Sequence, residues 1–145
     1  AALVDGLADG LGHSAPRYKL AGAAVHPAWR GRGLQKAVIR QRMQLAPAQS
    51  VLFATASPLN PASWCNLLAC GFTVRDVRYL YGGHARYVLA YVGSDGWEGS
   101  TTAGQTLQAD QLLQQQALLQ QGWRGVARGQ VAGSLQLLPA QGEWA

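Results

Sequence analysis

The segment that most restricts the fold is a basic, glycine-rich turn set between a small apolar run and a helical pattern. Leu20 to His26 (Leu-Ala-Gly-Ala-Ala-Val-His) reads as a buried strand closed by Pro27, which removes a backbone donor. Trp29-Arg30-Gly31-Arg32-Gly33 turns the chain, and Leu34, Ala37, Val38 and Leu45 then recur at helical spacing up to Pro47. Val51 to Ala56 is a second short apolar run. Strand, turn, helix and strand together predict a βαβ unit with a parallel pair, its glycine turn at the C-terminal edge of the strands.

Such a turn suits phosphate. Glycines let backbone N–H groups approach anionic oxygens, the first helical turn carries unpaired donors, and the helix dipole adds partial positive charge. Arg30 and Arg32 add full charges. The wider charge pattern agrees: the chain carries a formal +5, and residues 17–86 hold ten Lys and Arg residues against Asp76 alone. Two glycines in a basic loop also describe a plain tight turn. The turn lacks the Gly-Lys-Ser/Thr ending of a nucleotide P-loop. It also lacks the glycine spacing and distal acid of a dinucleotide site.

Beyond Val51–Ala56, Ser57-Pro58-Leu59-Asn60-Pro61 breaks the chain, Ser63 to Cys70 reads as a helix, and Gly71 is its stop. Phe72 to Tyr81 and Arg86 to Val92 are strand-like and joined around Gly82-Gly83, which predicts an antiparallel edge to the sheet. Residues 93–105 read as a linker. Thr106 is the expected cap of a helix through Gln121, with Gly122 past its end, and Val131 to Leu138 reads as a further strand. No internal repeat stands out in the residues. Cys65 and Cys70, five apart on a helix, point to different faces and suit a reducing compartment rather than a disulfide. No apolar run is long enough to span a bilayer, and no metal-ligand cluster is visible.

At the turn the sequence resembles the GNAT superfamily of acyl-coenzyme A-dependent N-acetyltransferases. The pyrophosphate loop of that family, Arg/Gln-x-x-Gly-x-Gly/Ala after Val-x-Pro, is approached by Val25-His26-Pro27 and Arg30-Gly31-Arg32-Gly33-Leu34, with Gln35 departing from the last small position. One branch carries Gly-Leu-Gln here, then Ser-Pro-x-Asn-x-x-Ser, Gly-Phe and Tyr-Gly-Gly-x-x-Arg-Tyr. This chain has Ser57-Pro58-Leu59-Asn60-Pro61-Ala62-Ser63, Gly71-Phe72 and Tyr81-Gly82-Gly83-His84-Ala85-Arg86-Tyr87 in that order. Leu118-Leu119-Gln120-Gln121-Gly122-Trp123-Arg124-Gly125 is similar to a further element of the branch.

The resemblance implies an α/β fold: a GNAT-like mixed sheet around the central βαβ unit, N-terminally truncated and followed by a C-terminal helical extension. Residues 1–19 are expected to be a loop or remnant of a missing N-terminal part, 20–92 the acetyl-CoA-binding core, and 93–145 the extension with its linker and helix near 106–121. It further implies that backbone groups of Ala24 and Val25 pair with the pantetheine arm. Arg30, Gly31, Arg32, Gly33, Leu34 and Gln35 face the pyrophosphate, and Asn60 and Ser63 lie beside the pantetheine. The plain readings are a core strand, solvated arginines and an ordinary cap, Asn60 closing a helix that starts at Pro61.

The implied activity is transfer of an acetyl group from acetyl-CoA to a primary amine of a small molecule or peptide in the cytoplasm. Nucleic acid and membrane are not expected partners. The alternative is a non-catalytic acyl-CoA-binding or regulatory domain. Many family members place a proton-donating tyrosine on the helix after the asparagine, where this chain has Leu67. Tyr79, Tyr81 and Tyr87 are the remaining candidates, and the catalytic acid and base stay unassigned. A sheet without its first strands is expected to self-associate or to take a completing N-terminal segment.

Overall fold

In the computed structural model the described residues are 2–3, 17–19, 34–45, 51–80, 82–92 and 104–139. In chain order they form β1 (Ala2–Leu3), β2 (Arg17–Lys19), α1 (Leu34–Leu45), β3 (Val51–Ala56), α2 (Pro61–Ala69), β4 (Thr73–Leu80) and β5 (His84–Val92). These are followed by β6 (Gln105–Gln108), α3 (Leu112–Gln120), β7 (Arg124–Arg128) and β8 (Ser134–Leu138). The strands make one sheet in the order β1-β2-β3-β5-β4-β7-β8-β6. From β3 to β6 every neighbouring pair is antiparallel; β2 joins parallel to β3, and β1 antiparallel to β2. The fold is therefore mixed α/β with a largely antiparallel sheet.

The apolar spacing places α1 and β3 where the sequence puts them. The expected strand at 20–26 and the glycine turn lie outside the described residues. The parallel partner of β3 among the described residues is β2, with Arg17 opposite Val51 and Lys19 opposite Phe53. Residues 1–19, read as a loop or a remnant of a missing N-terminal part, contain two short strands. Their glycines and aspartates mask strand pairs too short to show a period.

The β4–β5 hairpin forms around Gly82-Gly83, but it is no edge. β5 lies between β3 and β4, and β4 continues into β7. The C-terminal residues are likewise not a separate helical extension, because β7, β8 and β6 complete the same sheet. Thr106 does not cap a helix: it sits in β6 opposite Gln136, and α3 begins after Gln111. The ladder offered by β8 outweighs the helical propensity of the flanking glutamines, as tertiary pairing commonly does.

Both α2 and α3 end in the same way. Gly71 (φ +98°) and Gly122 (φ +96°) take the left-handed conformation just past each helix. The N–H of Phe72 reaches the carbonyl of Leu67 and that of Trp123 the carbonyl of Leu118, each at 3.1 Å, with the glycine N–H on Leu68 and Leu119. These are paired Schellman stops, which satisfy carbonyls that a bare helix end leaves open.

One face of the sheet carries Leu52, Ala54, Ala56, Val74, Val77, Tyr87, Leu89, Leu135 and Leu137 into a single cluster with Ile39 of α1, Trp64 and Leu67 of α2, and Leu119 of α3. Alternation along β3 explains the choice, since every second side chain shares a face. All three helices add side chains to the cluster, α3 through Leu112, Leu118 and Leu119 beside the buried Gln115.

The sheet also repeats itself, which the residue identities conceal. Residues 51–92 run β3-α2-β4-β5, and residues 104–139 run β6-α3-β7-β8 in the same β-α-β-β order. The two units meet where Val74 of β4 pairs with Gly125 of β7. Outward from that pair one side reads Leu89 then Ala54, and the other reads Leu137 then Gln105. A register shift follows at Val74/Asp76 in one unit and at Gly125/Ala127 in the other. The same spacing separates Leu67 from Leu118, Gly71 from Gly122 and Val74 from Gly125.

Candidate functional site

The described part of the candidate site lies on α1 and α2. α2 starts as a proline-led helix should: Asn60 is its N-cap and Pro61 occupies the first turn, where a missing N–H costs nothing. Asn60 Oδ1 accepts from the Ser63 N–H at 3.3 Å, and the Asn60 carbonyl accepts from the same group at 3.1 Å. The preceding turn is held from three sides. Asn60 N–H donates to the Ser57 carbonyl at 2.9 Å, Leu59 N–H donates to Ser57 Oγ at 3.2 Å, and the buried Trp64 indole N–H donates to the Pro58 carbonyl at 3.2 Å. Leu59 is consequently pushed outward and is 83% exposed.

The first turn of α1 holds Leu34, exposed, and Gln35, half-buried. The Gln35 side chain accepts from Asn66 Nδ2 of α2 at 2.5 Å, so the side chain that departs from the family pattern is drawn onto α2. Asn66 is one turn beyond Ser63 and two beyond Asn60, about 4.5 and 9 Å along the helix axis. The structure therefore brings Gln35 onto the helix that carries Asn60 and Ser63, yet it meets that helix at Asn66. Sequence reasoning missed Asn66. The signal was present, because Asn60, Ser63 and Asn66 recur every third residue and so share one side of an otherwise apolar helix. Ala24, Val25, Arg30, Gly31, Arg32 and Gly33 lie outside the described residues.

The remaining chemistry is quiet. Cys65 and Cys70 are free thiols, each partly buried against the core. Burial pushes both thiol pKa values up, opposed by Arg128 at Cys65 and by Arg40 and Lys36 at Cys70. Both are thiols rather than thiolates at neutral pH, as packing residues should be. Leu67, at the position where a tyrosine donor is expected, is 5% exposed and part of the core.

Tyr87 is fully buried, edge-on to Trp64 with ring centroids 5.9 Å apart, and donates its hydroxyl to Gln115 Oε1 at 2.7 Å. Its pKa is pushed up to about 12 by burial, against the lowering effect of the Gln115 bond. Tyr79 is 56% exposed, and Tyr81 lies outside the described residues. Asp76, the lone acid of the basic segment, is paired with Arg78 at 2.8 Å.

Among the described residues no group of three or more His, Cys, Asp or Glu gathers to hold a metal ion, and no helix is long and apolar enough to cross a membrane. No protein-family model, curated protein or solved structure matches the chain.

Proposed function

We propose that the chain is an acetyl-CoA-dependent N-acyltransferase domain with a GNAT-like core, acting on a primary amine of a small molecule or peptide. The observation that carries this reading is the Gln35–Asn66 hydrogen bond. It joins Gln35, the last residue of Gly-Leu-Gln, to the helix that follows Ser-Pro-Leu-Asn, two segments far apart in sequence. The parallel β2–β3 pair with α1 between its strands in chain order supports the same reading, since it has the strand-helix-strand order of the expected βαβ unit, with Arg17–Lys19 as its first strand.

In this proposal the main-chain N–H groups at Gly31 to Gln35 and the charges of Arg30 and Arg32 bind the pyrophosphate of acetyl-CoA. Ala24 and Val25 offer backbone partners to the pantetheine amides, and Asn60 and Ser63 flank that arm. The acceptor amine attacks the thioester carbonyl, the C–S bond breaks, one amine proton is lost and the coenzyme leaves as its thiol. Tyr87 is a poor donor for that thiolate, being committed to Gln115 with a raised pKa. The free thiols of Cys65 and Cys70 suit a reducing compartment.

The burial of Leu67 where a donor is expected favours a second reading, an acyl-CoA-binding or regulatory domain without turnover. Calorimetric titration with acetyl-CoA tests the shared premise. Gly33→Asp should weaken binding more than tenfold, about 1.4 kcal/mol. No binding by the folded wild type overturns both readings. Binding with amine-dependent thiol release supports transfer, and binding with no release across polyamines, amino acids and peptides supports the second reading.

A further inference from the structure

The two β-α-β-β units are built against each other as two subunits would be. α2 of the first unit lies on β7 of the second as well as on its own β4, and α3 of the second lies on β4 of the first as well as on its own β7. Each helix crosses the seam. Equivalent side chains also do equivalent work. Trp64 in α2 donates back to the Pro58 carbonyl before its helix; Gln115, at the matching position of α3, donates back to the Gln108 carbonyl at 2.6 Å. Tyr87 touches both, edge-on to Trp64 and hydrogen-bonded to Gln115. A second bond crosses the seam from Gln116 Nε2 to the Val77 carbonyl at 2.9 Å.

This reciprocity, in which each half packs on the same part of the other, is the pattern of an isologous two-fold interface. Here it is written into one chain. We propose that residues 104–139 are an internal counterpart of residues 51–92 that serves as the chain's own second subunit, filling the β4 edge from within.

The Val74–Gly125 pair makes the arrangement directional. A Cβ on Gly125 would lie 2.8 Å from the Cβ of Val74, closer than side-chain atoms tolerate. If β4 of another chain took the place of β7 in this register, Val74 would face Val74 and meet that same collision. A glycine on one side of the seam and a valine on the other therefore admits the internal strand and rejects a second copy of β4. Specificity of this kind rests on a built-in clash as much as on attraction.

Two measurements on the full chain test the proposal. The first is hydrogen exchange. A built-in subunit unfolds with its partner, so the slowest amides of β4 and of β7 should show protection factors within about tenfold of each other. A larger gap, with β7 and β8 opening while β4 stays protected, would make residues 104–139 an appended flap and overturn the proposal. The second is an isotope-filtered nuclear Overhauser experiment on labelled and unlabelled chains unfolded and refolded together. The Val74–Gly125 contact should appear only within one chain. An interchain Val74–Gly125 or Val74–Val74 contact overturns the proposal, because the β4 edge would then belong to another molecule.

Discussion

Two helices that end alike begin differently. α2 opens with an asparagine cap and a proline, its short polar side chains turned toward its own first turn and toward α1. α3 opens after Gln111 with no side-chain cap, and its polar side chains turn elsewhere: Gln111 accepts from the Gln108 N–H at 2.8 Å, Gln115 reaches Tyr87, and Gln116 reaches Val77. One backbone plan thus supports two uses of polarity. In the first unit polar side chains serve the helix start and the contact with α1; in the second they serve the turn before the helix and the seam where the units are joined. The lesson is that one backbone plan does not fix what the polar residues of its helix do.

The seam offers the severest test of that contrast. Gly125→Val should cost about 3 kcal/mol, the upper range of overpacking, because the new side chain collides with Val74 and Leu135. Adding Val74→Gly removes one of the two collisions, and the double variant should be more stable in a thermal melt than the sum of the two single losses predicts. A double variant no better than the sum of the two single losses would show that the two positions are not complementary.

Next comes the buried hydroxyl. Tyr87→Phe should destabilise by about 2 kcal/mol, since it strips the donor from a buried carbonyl oxygen of Gln115. Denaturant titration of this variant and of Gln115→Leu, singly and together, should show coupling. Independent losses would mean that the two units are not joined there.

Alkali should test the burial of the same hydroxyl without mutation. Tyr87 titrates near 10 when unfolded and at about 12 when folded, so the folded state holds its proton longer. Its stabilising effect is whole below pH 10 and is lost as pH rises toward 12, at up to about 1.4 kcal/mol per pH unit. Tyr87→Phe should flatten that part of the stability curve, as measured by urea unfolding at stepped pH.

The smallest effect separates the helix starts themselves. Asn60→Ala should cost about 1 kcal/mol through loss of the cap, and Gln111→Ala less than half of that. Equal costs would erase the distinction between a capped and an uncapped start.

Much of the local structure was legible. The spacing of Leu34, Val38 and Leu45 and the following Pro47 gave α1; Gly71 and Gly122 marked the helix stops; Gly82-Gly83 marked the hairpin. Those signals are local, and local chemistry fixes them. Thr106 misled because its preference for a cap is also a preference for strand, and the strand that decided between them, β8, is distant in sequence. The repeat stayed hidden because, beyond the Leu-Leu-x-x-Gly-aromatic stop and the isolated pairs Thr55/Thr106 and Leu89/Leu137, the residues differ. Its other matched positions set Trp64 against Gln115 and Tyr87 against Leu135, pairs that no similarity of side chain connects. At the candidate site the Asn60 cap followed from its proline, whereas the meeting of Gln35 with Asn66 depends on how two helices lie together.

The glycine at the seam also has a consequence in time. A ribosome delivers the first unit whole before any of the second, and at roughly 5–20 residues per second the β4 edge stands bare for several seconds until β7 and β8 emerge. On a polysome, neighbouring nascent chains expose the same edge at once, close together, with nothing yet made to cover it. Val74 makes those edges mutually incompatible in the native register during that interval. The partner that fits is the one each chain has still to synthesise.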